Sequence, residues 1–264
     1  MKKIIILIGW IVAGVFLTVP AFGFSPLTEV AIQADRGYYL PLHPVSAEHP
    51  RTYRAYVEAV RGERYSIRVI NRGPYRVGLV IAVDGRNVIT GMKSFLQSRE
   101  RMYILEPYAS GLYEGWRTGR DQVNRFYFTD AGDSYAGAWG DHSALGVIAV
   151  AVFPEQPPPE PPPSSIYEPE GGYLHEEGKE RLRKSAPQPM QPRAETQPGT
   201  GFGEGRYSPS VRVDFEPEPV PAERHFLKYE WRETLCRRGI IDCRPSGNRF
   251  WDEDRGYAPY PRRR

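Results

Sequence analysis

The densest set of reactive side chains in this 264-residue chain lies between Asp130 and His142. Asp130, Asp133, Ser134 and Asp141 stand in a stretch that also carries Gly132, Gly137 and Gly140. Hard oxygen donors on a glycine-rich loop are the chemistry of a loop-borne calcium site, so these four residues form one candidate set. The spacing is not that of an EF-hand, since no Glu stands at the twelfth position. A nucleophile also needs a base within reach, and Ser134 with His142 is the pair this stretch offers. The third reading is a structured loop between two core strands. In it the aspartates bond local amides and Trp139 plugs the edge of the core.

Gly132-Asp133-Ser134 resembles the triplet around the nucleophile of trypsin-like proteases and of the SGNH esterases, over three residues only. The proteases' upstream histidine segment is missing, and so is a Gly-x-Ser-x-Gly elbow. The reading carried forward is therefore a non-catalytic loop, with the calcium set and the serine–histidine pair as its alternatives. A second candidate surface joins Tyr113 and Trp116 to Arg117 and Arg120, where rings and guanidinium groups suit a sugar. The same aromatics also fit the core of a sheet. Arg51, Arg54, Arg61, Arg64, Arg68, Arg72 and Arg76 crowd one stretch and suit an anionic glycan, or else the solvent face of strands. The net charge of +3 sets up no global field for nucleic acid. Cys236 and Cys243 have the spacing of a small disulfide loop in an oxidising compartment, the alternative being free thiols.

The elements that position these residues follow from the hydrophobic pattern. Residues 53–59 and 65–70 alternate with period two, and Val77–Val83 is a continuous apolar run expected at the centre of a sheet. Asp84-Gly85 is a hairpin signal, because that turn needs positive φ. Further short strands are expected at 103–105, 113–117, 123–129 and 145–153, spaced by turn residues. Many short strands without a long helical period predict an all-β domain, a single antiparallel sandwich or a barrel-like variant, over residues 52–153. Residues 24–51, broken by four prolines, read as an irregular lead-in.

Residues 154–209 open on a proline-rich run and continue polar, so they predict disorder, glycines 199, 201, 203 and 205 included. Residues 210–241 carry two further alternating stretches, around Val213 and Tyr229, and a helical turn at 233–238 before Gly239. They are expected to dock on the edge of the domain. An Arg-rich tail, 242–264, follows.

Lys2 and Lys3 precede an uncharged apolar run from Ile4 to Phe24. A signal peptide over residues 1–23, cleaved after Gly23, is one reading, and an uncleaved membrane anchor is the other. Either sends the rest of the chain out of the cytoplasm, to be periplasmic, secreted or held at the membrane. The sequence thus predicts an exported cell-envelope module of structural or binding character. Its partner would be another envelope protein or an anionic glycan, and calcium the only cofactor on offer.

Overall fold

The computed structural model describes residues 26–47, 49–157 and 197–243. The predicted signal or anchor, most of the proline-rich run and most of the Arg-rich tail lie outside these residues. The described residues form an all-β, sandwich-like fold of two seven-stranded sheets. In chain order the strands are β1 (Thr28–Ala34), β2 (Leu42–Val45), β3 (Thr52–Ala59), β4 (Arg64–Asn71), β5 (Val77–Val83), β6 (Arg86–Asn87) and β7 (Tyr103–Leu105). Then follow β8 (Ser110–Tyr113), β9 (Gly115–Arg117), β10 (Gln122–Asp130), β11 (Val147–Pro154), β12 (Pro198–Thr200), β13 (Gly205–Tyr207) and β14 (Glu223–Trp231). Two short helices, α1 (Tyr135–Ala138) and α2 (Arg232–Arg237), complete the set. None of the described helices is long and apolar enough to cross a membrane.

The first sheet runs β1-β4-β10-β12, with β8 also on β4 and with β9 and β13 also on β10. The second runs β2-β3-β14-β11-β5-β6, with β7 on β5. Their facing sides share one core. Val30, Ile32, Ile67 and Phe126 come from the first sheet, and Val57, Leu79, Ile81, Ile148 and Tyr229 from the second. Each large apolar side chain fully buried there stabilises the fold by about 1.5–3 kcal/mol. The unbroken apolar run of β5 has a second cause. Val80, Ala151 and Phe153 form a cluster separate from the main core, covered by Leu96 and Met102. The second sheet is thus covered on both faces, which removes the need for polar alternation.

Five expectations change. The lead-in holds β1 and β2, and Val30, Ile32 and Ala34 of β1 are core residues. The prolines that suggested irregular chain stand just before β1 (Pro26) and on the edge strand β2 (Pro44), where a missing amide is tolerated. The sheets are not wholly antiparallel, because β14 pairs in parallel with β3 from Arg224↔Thr52 to Trp231↔Ala59. Nor is β14 an edge addition: β11 flanks it on its other side, so it is an interior strand. The stretch around Val213 makes no ladder.

The fifth concerns residues 198–207, predicted to be disordered, which form β12 and β13 along β10. Their alternate glycines leave room for larger neighbours. A Cβ at Gly201 would come within 2.1 Å of the Tyr127 ring edge, and one at Gly203 would crowd the Arg125 carbonyl. An aromatic ring laid over glycine in a strand restores the packing that the glycine lacks.

Two predictions follow from these placements. Deleting residues 210–264 leaves β3 and β11 without their shared neighbour, and the variant should show no cooperative thermal transition by circular dichroism. Gly201→Ala should destabilise by about 1–3 kcal/mol in urea, and adding Tyr127→Ala should recover part of that loss in a double-mutant cycle.

Candidate functional site

The loop from Asp130 to Asp141 lies at one pole of the sandwich, where β5 ends, β11 begins and β12 starts. A single 3₁₀ turn, Ala131–Asp133, leads into α1. Ser134 caps α1: its Oγ accepts the Gly137 amide at 2.9 Å and donates to the Ala131 carbonyl at 2.7 Å. The hydroxyl is buried and its bonds are local, while His142 is exposed. Ser134 is therefore a capping residue here.

Asp130 and Asp141 turn to separate partners, and Asp133 is exposed. Asp130 pairs with Arg61 at 3.3 Å. Asp141 accepts from the Ser143 hydroxyl at 2.6 Å and the Ser143 amide at 3.1 Å, with Lys93 4.0 Å away. Burial pushes the Asp141 carboxyl up, but the Ser143 bonds outweigh it and hold it below its usual value. Asp130, Asp133, Ser134 and Asp141 do not converge, and no group of three metal-binding side chains occurs among the described residues.

What α1 does present is aromatic. Tyr135 packs on Trp116 at 4.4 Å between ring centres, stacks on Phe202 at 5.5 Å, and meets Trp139 edge-on at 6.3 Å. Trp139 is 64% exposed and Phe202 43%, whereas Trp116 below them is 2% exposed. The Arg86 guanidinium lies 5.3 Å from the Trp139 ring, a cation–π contact. Trp116 is thus the buried footing of the platform and not part of its surface, and its Nε1 donates to the Gly201 carbonyl at 3.0 Å.

The remaining residues of the predicted sugar-binding set serve the fold as well. Tyr113 packs on Tyr103 at 4.5 Å, and burial pushes its hydroxyl well above the usual range. Arg117 donates to the Tyr103 hydroxyl at 2.9 Å and to the Ser208 carbonyl at 2.9 Å, so it staples residues 208–210 to the sheet. Arg120 is exposed, and its carbonyl accepts from the Ser210 amide at 3.0 Å. These four do not meet on one surface. The arginine-rich stretch is likewise engaged: Arg64 with Glu204, Arg72 with Glu29 and Arg76 with Glu155 are ion pairs. A disulfide joins Cys236, in α2, to Cys243 beyond the helix.

The platform rests on a buried carboxylate. Asp84 and Gly85 both have positive φ, 50° and 79°, and join β5 to β6 in the predicted hairpin turn. The Asp84 side chain points inward. Its Oδ1 accepts from the Tyr229 hydroxyl at 2.5 Å and the Gly146 amide at 2.8 Å, and its Oδ2 from the Thr200 amide at 2.7 Å. Thr200 Oγ1 in turn bonds the hydroxyls of Tyr65 at 2.7 Å and Tyr229 at 2.8 Å. Burial raises Asp84 to about 6, against bonds from Tyr229, Thr200 and Gly146 that favour its ionised form.

No protein-family model, curated protein or solved structure matches this chain. The platform therefore stands on its own geometry. Trp139, expected to plug the edge of the core, is instead exposed, and Phe202, Arg86 and Asp84 come from segments outside the 130–142 loop. Phe202 lay inside a Gly-rich stretch, and Asp84 had already been read as a turn residue.

Asp84 sets a pH dependence with a definite sign. An unfolded Asp ionises near 3.9 and the folded one near 6. Its contribution to stability is full below about pH 4 and is lost as pH rises through 6, a change on the order of 3 kcal/mol. Glu223 works the other way: burial pushes it up, but bonds from His225, Leu27 and Thr28 hold it low. A difference against Asp84→Asn isolates the Asp84 part. In urea unfolding, the wild type should gain on Asp84→Asn by about 2 kcal/mol between pH 7.5 and pH 4.5. An unchanged gap would contradict the assignment.

Proposed function

We propose that this chain is an exported cell-envelope protein whose sandwich domain is a non-catalytic binding module, and that the Tyr135–Trp139–Phe202 platform is its binding face. The observation that carries this reading is the exposure of Trp139 and Phe202 on a rigid, doubly supported base. Stacking under Tyr135 and the Asp84 network below β12 hold the rings in place without a partner. Preorganised aromatic area of this kind gains affinity because little side-chain entropy is lost on binding. Arg86 and Lys93 give the rim a positive edge, which suits a glycan with anionic groups or an acidic segment of another envelope protein. The local bonds of Ser134 and Asp141 support the non-catalytic reading. Export is supported by the Lys2–Phe24 pattern and by a disulfide chemistry that belongs to oxidising compartments.

The test replaces Trp139 with a photo-crosslinking residue in expressing cells, alongside the same replacement at Tyr108 on the opposite pole. A discrete adduct formed from position 139, absent from position 108 and lost on Phe202→Ala, is the expected result. Trp139→Ala should leave unfolding within about 0.5 kcal/mol of wild type, as for an exposed side chain. If no adduct forms, and cell-wall glycan fragments do not alter the tryptophan fluorescence of the purified chain, the platform is not a binding face.

A further inference from the structure

The pole opposite the platform is the one where the chain enters the domain. β1 begins at Thr28 opposite Asn71, whereas its other end, Ala34, lies opposite Tyr65 near β10 and β12. Entry is clamped. Glu223 accepts the Leu27 amide at 2.5 Å, and the Thr28 amide and hydroxyl at 3.0 and 3.1 Å. The Thr28 hydroxyl also meets His225 Nε2 at 3.0 Å. The Leu27 carbonyl accepts from the Arg72 amide at 2.9 Å. Leu27 therefore has a fixed position and direction.

Two tyrosines stand around that entry point. Asn71 Nδ2 donates to the Tyr75 carbonyl at 2.7 Å and to the Glu106 carbonyl at 3.0 Å, and the Tyr108 amide donates to the Gly73 carbonyl at 3.2 Å. These bonds hold the 72–76 and 106–109 loops side by side next to Leu27. Tyr75 is 71% exposed and Tyr108 70% exposed. Tyr108 holds a φ of 56°, a conformation uncommon for a bulky residue. Arg72 and Arg76 flank the two loops, each on a carboxylate.

Chain geometry then sets a limit. Three residue steps separate Phe24, the last residue of the apolar run, from Leu27. Fully extended they reach about 10 Å. If residues 4–24 cross a bilayer, the clamped pole cannot stand clear of it. It must sit at headgroup depth, the layer in which tyrosine rings are favoured for their apolar body and polar tip.

We propose that this pole is the face seated on a phospholipid bilayer, with residues 4–24 as tether and the Tyr75 and Tyr108 rings among the headgroups. The aromatic platform then points away from the membrane, about 23 Å along β11 by strand rise. The proposal rests on the export reading and selects its anchored form.

The experiment uses the full chain in phosphatidylcholine–phosphatidylglycerol vesicles. Tyr75→Cys, Tyr108→Cys and Trp139→Cys each take a thiol-reactive fluorophore while the native disulfide stays oxidised, and headgroup-nitroxide lipids act as quenchers. Thermal melts confirm that each variant is folded, and Pro74→Cys substitutes for any that is not. Quenching at positions 75 and 108 several-fold above that at 139 is expected, and equal quenching overturns the proposal. Cell fractionation with N-terminal sequencing separates the two readings. An intact N-terminus in the membrane fraction supports the seat. A soluble exported chain starting near Phe24 keeps export and removes the seat. A chain left in the cytosol removes both.

Discussion

The Asp84 carboxylate is the point on which the two sheets agree. It sits at the end of β5 and reaches three separate segments: β14 through Tyr229, the turn before β11 through Gly146, and β12 through Thr200. Thr200 extends the network to Tyr65 of the first sheet. A buried carboxylate held by neutral donors is costly unless every bond is made. The network therefore admits one arrangement of β12 against the core and penalises others. This placement fixes Gly201 under Trp116 and puts Phe202 beside Tyr135. The exposed rings inherit their rigidity from a group that no ligand on the platform would touch.

Local pattern made much of the fold legible. The alternation in β3 and β4, the apolar run of β5, the Asp-Gly turn and the alternation at Leu227–Trp231 all match elements of the structure. The pattern could not give what depends on partners distant in sequence. Residues 198–207 contain almost nothing hydrophobic, and their order comes from the Tyr127 ring, the Trp116 indole and Asp84. The first strand, β1, has a clear alternation, but the prolines that follow it drew the domain boundary too late. The candidate site was legible only as a loop. Trp139 was in view, while its neighbours Phe202 and Arg86 are contributed by segments far away in sequence.

The arginines show how composition can mislead. Seven of them between 51 and 76 suggested a surface for anions. The fold spends several on its own carboxylates, and Arg61 also lies 4.2 Å over the Trp231 ring. A guanidinium can satisfy a carboxylate and cover an aromatic face at once. On the outer faces of a sandwich this is a sealing role, and little free positive charge remains. Positive character at the platform comes instead from Arg86, outside that stretch.

The interior position of β14 bears on when this chain can fold. Its neighbours β3 and β11 emerge from the ribosome well before it, and parallel pairing across such a separation is slow to form. Until Trp231 has been synthesised the second sheet stays split, and Asp84 lacks its Tyr229 partner. The unfinished polypeptide thus lacks a complete second sheet, and the domain closes only once its C-terminal strand has been made.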